Sequence, residues 1–439
     1  MISFLHIVAV MREYLWSFPM LLLLLGTHLY FTVKLSFIQK WIPRGIRFCF
    51  SKSQTQEIGI SPYGALATAL AATIGTGNII GISAAIALGG PGAVFWCWLT
   101  GLLGIATCYC ECFLSVKYRV KTKMGTYLGG PMYVLKYGLH KNGLALLFSI
   151  FAVLASFGIG SSVQANSICT TITSHTNISP HLVGIAVAVI AGFVMLGGVK
   201  QISKVCTFLV PFMSIFYFAG CFYLLCLNHA FLLKALGVII TSAFSSQSLI
   251  GGIAGTGIIV GMRTGISKGL FTNEAGLGSI PMTAAAARTS SPFTQGLISM
   301  TGPFWDTVVM CAITGLVIVS SMLKSPSFYQ NVAPNHLCFI AFSALPFGGY
   351  EILSISLILF AFATIIGWCY YGECSVRFIL GERGIPAYQL LYILFIYLGA
   401  VMSLDLVWGI SDLLNLLMAL PNLFCIWMLR KTIIQETPH

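Results

Sequence analysis

Long apolar segments, separated by short polar stretches, make up most of the 439-residue chain. A helix needs about 20 consecutive apolar residues to cross the hydrocarbon core of a bilayer. Eleven segments approach or exceed that length, which predicts an all-α polytopic membrane protein with about eleven transmembrane helices. Stretches 124–137, 231–244 and 270–287 are predicted to lie at the surface or to re-enter the membrane. The predicted helices, numbered in chain order, lie at about 15–35, 63–88, 92–118, 144–172, 181–199, 204–227, 249–266, 293–322, 350–380, 386–404 and 406–430.

Predicted helix 2 is interrupted near its middle by glycine. Gly75, Thr76, Gly77 and Asn78 lie well inside the apolar segment, and each glycine costs a helix about 1 kcal/mol relative to alanine. An unpartnered backbone amide or carbonyl in hydrocarbon costs several kcal/mol more. We therefore expect a broken helix whose freed groups face a cavity or a ligand. An alternative is a close helix-packing face formed by Gly77 and Gly81.

A second glycine cluster interrupts predicted helix 7, and it includes Gly252, Ile253, Gly255 and Thr256. Two broken hydrophobic segments at corresponding places in the two halves of a chain indicate a transporter built from inverted repeats. The N-terminus of a half-helix offers free amides and a positive dipole end to an anion. The half-helix before it offers carbonyls to a cation or an ammonium group. The two breaks together therefore fit an amino-acid zwitterion with a small cation.

The repeat also sets the predicted domain organisation. Residues 1–57 form an accessory transmembrane helix with a basic loop, residues 58–228 a first five-helix repeat, and residues 229–439 a second. Helices 2 and 7 begin on opposite sides of the membrane in this arrangement, so the repeat is inverted. By analogy of pattern, this five-plus-five arrangement is the leucine-transporter-like architecture of the amino acid–polyamine–cation superfamily.

The composition supports a membrane protein and excludes a soluble one. Only 8% of the residues are charged and 57% are hydrophobic, whereas a soluble protein carries about 25% charged residues. The net charge of +12 is explained by the orientation of the helices in the membrane, which places most of the basic residues on one side. With the N-terminus outside and the C-terminus inside, all 23 lysine and arginine residues except Arg12, Lys234 and Lys324 fall on the cytoplasmic side. We therefore expect contact with lipid headgroups and no binding of nucleic acid.

The motifs do not indicate catalysis. The 14 cysteines mostly stand singly in apolar segments, without a metal-type CxxC pair, which predicts buried core thiols. The sequence has no Walker A motif, no HExxH motif and no nucleophile–base constellation, so we expect neither an enzyme nor a cofactor other than a coupling ion. The N-terminal apolar run has no signal-peptide cleavage site and should remain as helix 1.

Six longer blocks of sequence carry a resemblance to one transporter family. They are LAATIGTGNIIGIS (70–83), GGPGAVFWCWLTGLLGIAT (89–107), GGPMYV (129–134), FGIGSSVQANSI (157–168), KGLFTNEAGLGS (268–279) and FAFATIIGWCYYGE (360–373). On these motifs the chain resembles the alanine or glycine:cation symporter family, of the sodium:alanine symporter type. The resemblance implies transport of small neutral amino acids with sodium, sometimes with protons, in a prokaryotic cytoplasmic membrane.

The resemblance further implies a binding site. The helix 2 break takes the substrate carboxylate, the helix 7 break takes the ammonium group through its carbonyls, and an indole wall favours small side chains. The substrate-binding candidates are Gly75, Thr76, Gly77, Asn78, Gln164, Gly252, Ile253, Gly255, Thr364 and Trp368. The candidates for binding a cation, with Asp306 included on its position alone, are Asn78, Thr256, Thr364 and Asp306.

Several of these residues have open alternatives. Asn78 could cap the following half-helix, and Gln164 could make a purely structural bond between helices. Asp306 is the one acidic residue near the middle of a predicted helix, where a charge costs at least about 2.5 kcal/mol. It could hold a cation, relay a proton or act as a protonated hydrogen-bond donor. The pair Asn273 and Glu274 is diagnostic of the family, with no chemistry assigned to it.

The chain departs from the usual family pattern in three places. Ala363 stands where a threonine is frequent beside Thr364, which removes a hydroxyl near the proposed ion site and bears on the identity and number of the ions. Thr283 replaces a frequent histidine, and Ser161 and Ser162 replace an asparagine–apolar pair.

The predicted function is cation-coupled uptake of alanine, glycine or a similarly small neutral amino acid by alternating access. One alternative is a proton-coupled carrier of the same fold, with Asp306 as the relay. Another is a channel or an amino-acid sensor built on the same scaffold.

Overall fold

The computed structural model describes residues 18–51, 59–122, 125–245, 258–330, 332–402 and 404–438. Within these ranges the backbone is helical, apart from connecting segments, one antiparallel hairpin and an isolated parallel bridge between Ile60 and Ala287. The hairpin consists of β1, Val120–Lys121, and β2, Tyr127–Leu128, with Val120 opposite Leu128.

The described residues of the first half of the chain form nine helices of eight or more residues. A π-helical segment, Ser156–Ser162, lies inside the sixth of them. In order they are α1 Phe18–Lys34, α2 Ile42–Cys49, α3 Pro62–Thr73, α4 Ile80–Gly89, α5 Gly92–Lys117, α6 Asn142–Thr173, α7 Pro180–Met195, α8 Gly198–Leu227 and α9 Leu232–Phe244.

The described part of the second half is also helical, and a π-helical segment, Phe304–Cys311, lies inside one of its long helices. Its helices are α10 Ile258–Asn273, α11 Ile280–Ala285, α12 Pro292–Lys324, α13 Leu337–Ser343, α14 Gly349–Leu380, α15 Ile385–Val401, α16 Leu404–Met428 and α17 Arg430–Glu436. Shorter helical pieces are Ile38–Trp41, Thr76–Asn78, Pro131–Tyr133 with Val134–Gly138, His229–Phe231, Pro326–Tyr329 and Glu382–Gly384.

Local sequence explains where two of the helices begin. Ser61 accepts a hydrogen bond from the Gly64 amide and is followed by a proline, so α3 starts with a side-chain cap and a preset backbone angle. Ser291 caps α12 in the same way, through the amide of Thr294. The predicted starts of these helices, at about 63 and 293, are therefore within one residue of the observed ones.

Among the described residues, six helices are long and apolar enough to cross a membrane, and the number rises to nine when three sharply bent pairs are each counted as one span. Large apolar side chains on their outer faces remain exposed, among them Phe193 at 77% and Phe208 at 74%. Such faces suit lipid rather than water. The protein is therefore a multi-pass membrane protein.

Predicted helix 7 and the stretch that follows it need correction. The helix does not end near 266, because α10 continues to Asn273. Every residue from 269 to 287 is buried, so this stretch lies inside the protein and not at its surface. This stretch was predicted to lie at the surface or to re-enter the membrane, and its burial excludes the first of these placements.

The long helix α14 lies at the centre of the bundle, where it packs against α3, α6, α8 and α15. Helix α10 packs against both α4 and α5, and the accessory helix α1 lies against α5. The middle of α14 thereby meets both α3 and α6, which positions its side chains at the site described next.

Candidate functional site

The first interruption, between α3 and α4, is present where the sequence predicted it. The segments Pro62–Thr73 and Thr76–Gly89 meet at 60°. Ile74 leaves the helical region with ψ at 89°, and Gly75 is extended with φ at −130° and ψ at −159°. The amide of Gly75 donates to the side-chain oxygen of Asn78 at 3.0 Å. The cap therefore replaces one of the helical bonds that the break removes.

Gly75 is required here by a close contact. A Cβ atom at this position would lie 2.6 Å from the hydroxyl oxygen of Thr364, near the middle of α14. The hydroxyl of Thr364 donates to the carbonyl of Phe360 at 3.1 Å, so its lone pairs remain available toward the interruption. The predicted candidates Gly75 and Thr364 are thus brought into direct contact.

Gln164 also reaches the first interruption. Its side-chain oxygen accepts a hydrogen bond from the hydroxyl of Thr76 at 3.2 Å. Its nitrogen donates to the carbonyl of Ile159 at 3.1 Å, inside the π-helical segment of α6. The wider turn leaves that carbonyl accessible, so the sequence-predicted structural bond exists and also holds Gln164 beside the break.

Asp306 lies on the other side of Asn78, fully buried. Its carboxylate accepts hydrogen bonds from the nitrogen of Asn78 at 2.7 Å and from the hydroxyl of Thr307 at 2.7 Å. A second hydroxyl, that of Thr272 on α10, lies 3.4 Å from that of Thr307. In this arrangement the oxygen of Asn78 serves the cap, and its nitrogen, which cannot ligate a cation, faces the carboxylate.

No basic side chain of the described ranges lies within 4.0 Å of the Asp306 carboxylate. An isolated carboxylate in a low-dielectric interior is costly unless a charge or a proton compensates it. No group of three or more His, Cys, Asp or Glu side chains suited to a metal ion occurs in the part of the chain that the structure describes. Carboxylate, hydroxyl and carbonyl oxygens of this kind suit a hard cation.

A second interruption, Glu274–Ser279, separates α10 from α11. Gly276 and Gly278 have φ angles of 88° and 87°, which only glycine adopts easily. Glu274 has φ at 53°, an uncommon angle for a residue with a side chain. The predicted break at Gly252, Ile253, Gly255 and Thr256 lies outside the described residues, and the interruption observed near the centre of the bundle is this later one.

Trp368 connects the second interruption to the first. Its indole N–H donates to one carboxylate oxygen of Glu274 at 3.0 Å, and the other oxygen accepts from the hydroxyl of Ser279 at 2.5 Å. The indole also packs over Gly160, where a Cβ would lie 2.9 Å from the ring. Trp368 and Thr364 are one turn apart on α14, so both interruptions meet the same face of this helix.

No role was predicted for the buried acids around the second interruption, Glu274 and Glu111. Glu111 is buried and accepts hydrogen bonds from Asn422 at 2.8 Å and from the amide of Gly276 at 3.4 Å. Asn422 also donates to the carbonyl of Gly276 at 2.9 Å. Glu111 could have been recognised by the same signal as Asp306, because both are acidic residues inside an apolar segment.

A cavity of about 460 Å³, here called the vestibule, opens beside the first interruption. Its lining includes Gly81, Ser167, Thr171, Lys268 and Tyr350. Lys268 was predicted to share the cytoplasmic side with Lys117. That prediction is wrong, because Lys268 packs beside Gly81 in α4, whereas Lys117 is at the far end of α5.

The opposite side of the site is closed by backbone contacts. The amide of Ile60 donates to the carbonyl of Ala286 at 3.2 Å, and the amide of Arg288 donates to the carbonyl of Ile60 at 2.9 Å. The guanidinium of Arg119 donates to the carbonyls of Ala285 at 3.1 Å and of Ala287 at 2.8 Å. The start of α3 and the end of α11 are thus joined on this side of the site.

The sequence profile of the sodium:alanine symporter family matches residues 1–439. An uncharacterized transporter of Haemophilus influenzae is 44% identical over 437 residues, which cover 98% of this chain and 95% of the relative. The sodium/alanine symporter AgcS of Methanococcus maripaludis is 42% identical over 443 residues, which cover 99% of this chain and 97% of the relative. A Na⁺-coupled sialic acid symporter has been solved in a substrate-bound outward-open state, and its structure aligns with this one with a TM-score of 0.55. The alignment covers 97% of this chain and 84% of that one, at 13% sequence identity. The two proteins are therefore similar in fold alone.

Proposed function

Because the chain belongs to the sodium:alanine symporter family, we propose that it carries small neutral amino acids such as alanine or glycine across the membrane together with a cation, sodium in the first instance. The observation that carries the proposal is the meeting of two interrupted helices at Thr364 and Trp368, with a buried carboxylate, Asp306, bound to the first of them. Such interruptions at the centre of a bundle suit a charged substrate and its coupling ion.

The proposed architecture is a five-plus-five inverted repeat, 58–228 and 229–439, after an accessory segment 1–57. Adding α7 and the interrupted pair α10–α11 to the nine spans counted above makes eleven. Three pairs of corresponding helices also pack against each other, as elements beside a two-fold axis do: α5 with α12, α6 with α14, and α7 with α15.

The proposed substrate site lies between the first interruption and α14. Its carboxylate is bound by the freed backbone at Gly75, Thr76 and Gly77, and Gln164 and Thr364 supply polar groups beside it. Trp368 forms a wall that limits side-chain size. Gly252, Ile253 and Gly255 remain candidates through the family resemblance, and the second interruption supplies carbonyls that suit an ammonium group.

The proposed cation site is built on Asp306, with Asn78, Thr364 and Thr256 as further candidates. Sodium beside Asp306 neutralises the buried carboxylate and provides the charge that the membrane potential drives. A potential of 100 mV contributes about 2.3 kcal/mol per charge moved. The coupling ion aside, no cofactor is proposed. A proton on Asp306 is the alternative, because it neutralises the same charge.

Alternating access then requires two changes around one site. Substrate and cation arrive from the vestibule, and opening of the far side breaks the contacts that join Ile60 and Arg119 to the end of α11. We place the protein in a prokaryotic cytoplasmic membrane with its N-terminus outside and its C-terminus inside, from the distribution of basic residues.

The test is uptake of a panel of labelled amino acids by the purified protein in liposomes. We expect accumulation of alanine or glycine that needs an inward sodium gradient. Accumulation in sodium-free buffer with a pH gradient would instead assign the proton alternative. Unsaturable flux without counterflow would indicate a channel, and binding without any flux would indicate a sensor.

A further inference from the structure

Another cavity, here called the lateral cavity, lies between α2, α3, α8 and α12. Its volume is about 290 Å³, close to the lower end of the range of ligand pockets, about 300–1,000 Å³. No charged residue is among the described residues that line it, and most of them are apolar. A buried water needs two to four polar partners, so the cavity suits an apolar occupant. Its walls include Phe50, Leu66, Leu70, Ile74, Ile215 and Met310.

The lateral cavity runs from the outer face of the bundle to the back of the first interruption. Phe50 and Ile215 in its wall are 73% and 68% exposed, and such large apolar side chains face hydrocarbon in a membrane protein. Ile74 and Met310 are buried. Ile74 is the residue at which α3 leaves the helical conformation, and Met310 belongs to the π-helical segment that contains Asp306.

The cavity is long and narrow. Tyr63, Leu66, Leu70 and Ile74 line it at successive turns of α3, which corresponds to about 16 Å along the helix axis. A volume of about 290 Å³ spread over such a length suits an extended hydrocarbon chain better than a compact ligand.

Three helix ends meet at the outer part of the cavity. Phe50 directly follows α2 and lies against Tyr63 on α3, with ring centroids 5.5 Å apart. The next residue, Gly64, faces the start of α8, because a Cβ there would lie 2.5 Å from the hydroxyl of Ser203. The end of α2, the start of α3 and the start of α8 therefore lie at one level of the bundle.

Two basic residues lie at this level. Arg47 is one turn before Phe50 on α2, and Lys204 follows Ser203 on the face of α8 that Pro211 contributes to the cavity. Both are exposed, and neither forms an ion pair within the described part of the chain. Basic side chains beside an apolar cavity between transmembrane helices are typical of sites for anionic lipid headgroups.

We propose that the lateral cavity binds one acyl chain of an anionic phospholipid, and that Arg47 and Lys204 bind its phosphate-bearing headgroup. The chain packs against Ile74 and Met310, so it supports the first interruption and the segment of Asp306 from the lipid side. Lipid at this site therefore stabilises the conformation described here. The site does not depend on which substrate the protein carries.

The test of the headgroup is lipid binding by the purified protein in neutral detergent, measured by native mass spectrometry. We expect dioleoyl phosphatidylglycerol to bind more tightly than dioleoyl phosphatidylcholine. Arg47→Gln combined with Lys204→Gln should weaken binding of phosphatidylglycerol at least about tenfold, because charge-assisted hydrogen bonds to the phosphate are lost. Lys234→Gln, which removes an exposed lysine on α9, is the matched control and should bind as the unmodified protein does.

A variant that fills the cavity tests the acyl chain. Ser214→Trp places an indole in the lateral cavity and leaves both basic residues in place, so it should weaken binding of phosphatidylglycerol at least about tenfold. Cys226→Trp, at an exposed position on the same helix α8, is the control and should bind normally. Added phosphatidylglycerol should raise the Tm of the unmodified protein and of Cys226→Trp, and leave that of Ser214→Trp unchanged.

Two results would overturn the lipid site. One is equal binding of the two lipids by the unmodified protein, and the other is binding by Ser214→Trp as tight as that of Cys226→Trp. The charge variants alter exposed side chains, so they test the site even if Ser214→Trp does not fold. None of these measurements requires transport, so a failure of the proposed function is distinct from a failure of the lipid site.

Discussion

The two interruptions at the centre of the bundle are held by different kinds of bonds. The first is held mainly by neutral bonds, an amide cap from Asn78 and a hydroxyl–amide contact between Thr76 and Gln164, and one carboxylate, that of Asp306, also accepts from Asn78. The second is held by carboxylates, because Glu274 accepts from Trp368 and Ser279, and Glu111 accepts from Asn422. Neutral hydrogen bonds contribute about 1 kcal/mol each, and bonds to charged groups contribute about 1.5–3 kcal/mol.

Because of this difference, the first interruption can exchange its hydrogen-bond partners, whereas the second is fixed. A substrate carboxylate or a cation can replace the neutral contacts of the first interruption at small cost. The second has two carboxylates among its contacts, those of Glu274 and Glu111, and two of its glycines occupy positive φ angles. We therefore expect changes at the first interruption to affect binding and transport, and changes at the second to affect stability.

The largest expected effect is that of Gly75→Ala. The new Cβ would lie 2.6 Å from the hydroxyl of Thr364, so the interruption or α14 must shift. A shift of about 1 Å at a site of this kind costs on the order of 100-fold in rate, and we expect alanine uptake in liposomes to fall by that factor. Gly237→Ala, where a Cβ meets nothing within 4 Å, is the control and should retain full uptake.

A double variant decides whether the contact with Thr364 is the cause. Gly75→Ala combined with Thr364→Ala removes the clashing hydroxyl, so Gly75→Ala should weaken alanine binding less in the Thr364→Ala background than in the unmodified protein. Equal uptake by Gly75→Ala and the unmodified protein would show that the first interruption tolerates a side chain. The proposed close contact with α14 would then be wrong.

Asp306→Asn is expected to have the next largest effect. It keeps the shape of the side chain and removes the charge that sodium compensates. The sodium concentration for half-maximal uptake should rise at least about tenfold, which is the loss of one hydrogen bond or ion contact to a charged group. The measurement is alanine uptake as a function of sodium at constant ionic strength. Glu351→Gln, at an exposed carboxylate at the start of α14, is the control.

The same variant separates sodium from protons. Under the proton alternative, uptake by the unmodified protein needs no sodium, and Asp306→Asn removes its dependence on the pH gradient. A variant with the sodium response of the unmodified protein would show that the buried carboxylate is structural. Its bonds to Asn78 and Thr307 would then be its whole role.

The two interruptions also differ in how far the sequence alone predicts them. The first interruption was predicted because two glycines and an asparagine interrupt an apolar run, a local signal. The second, from Glu274 to Ser279, was missed because it lies between two predicted helices, in a stretch that was predicted to lie at the surface or to re-enter the membrane. Its burial depends on Trp368, Glu111 and Asn422, which are distant in the sequence. Helix bounds, such as 350–380 against Gly349–Leu380, follow from apolar length and were predicted closely.

Gln164→Ala tests the neutral contacts of the first interruption. It removes the partner of Thr76 and leaves the carbonyl of Ile159 without its side-chain donor. We expect the KM for alanine to rise about tenfold, the cost of one unsatisfied polar contact in a buried site. Thermal unfolding in detergent should show little change, because both remaining groups face the site. A large loss of stability at constant KM would mean that the bond is purely structural.

The smallest effect on transport is expected for Glu274→Gln. The amide keeps the length of the side chain but weakens the bonds to Trp368 and Ser279, and the loss in unfolding free energy should be about 1–2 kcal/mol. The KM should change less than about threefold, because this interruption positions Trp368 without exchanging its partners. Glu382→Gln, at an exposed carboxylate bound to Arg377, is the control and should cost less than about 1 kcal/mol. A strong rise in KM at unchanged stability would place Glu274 in the substrate site, and the two interruptions would then differ in sequence but not in role.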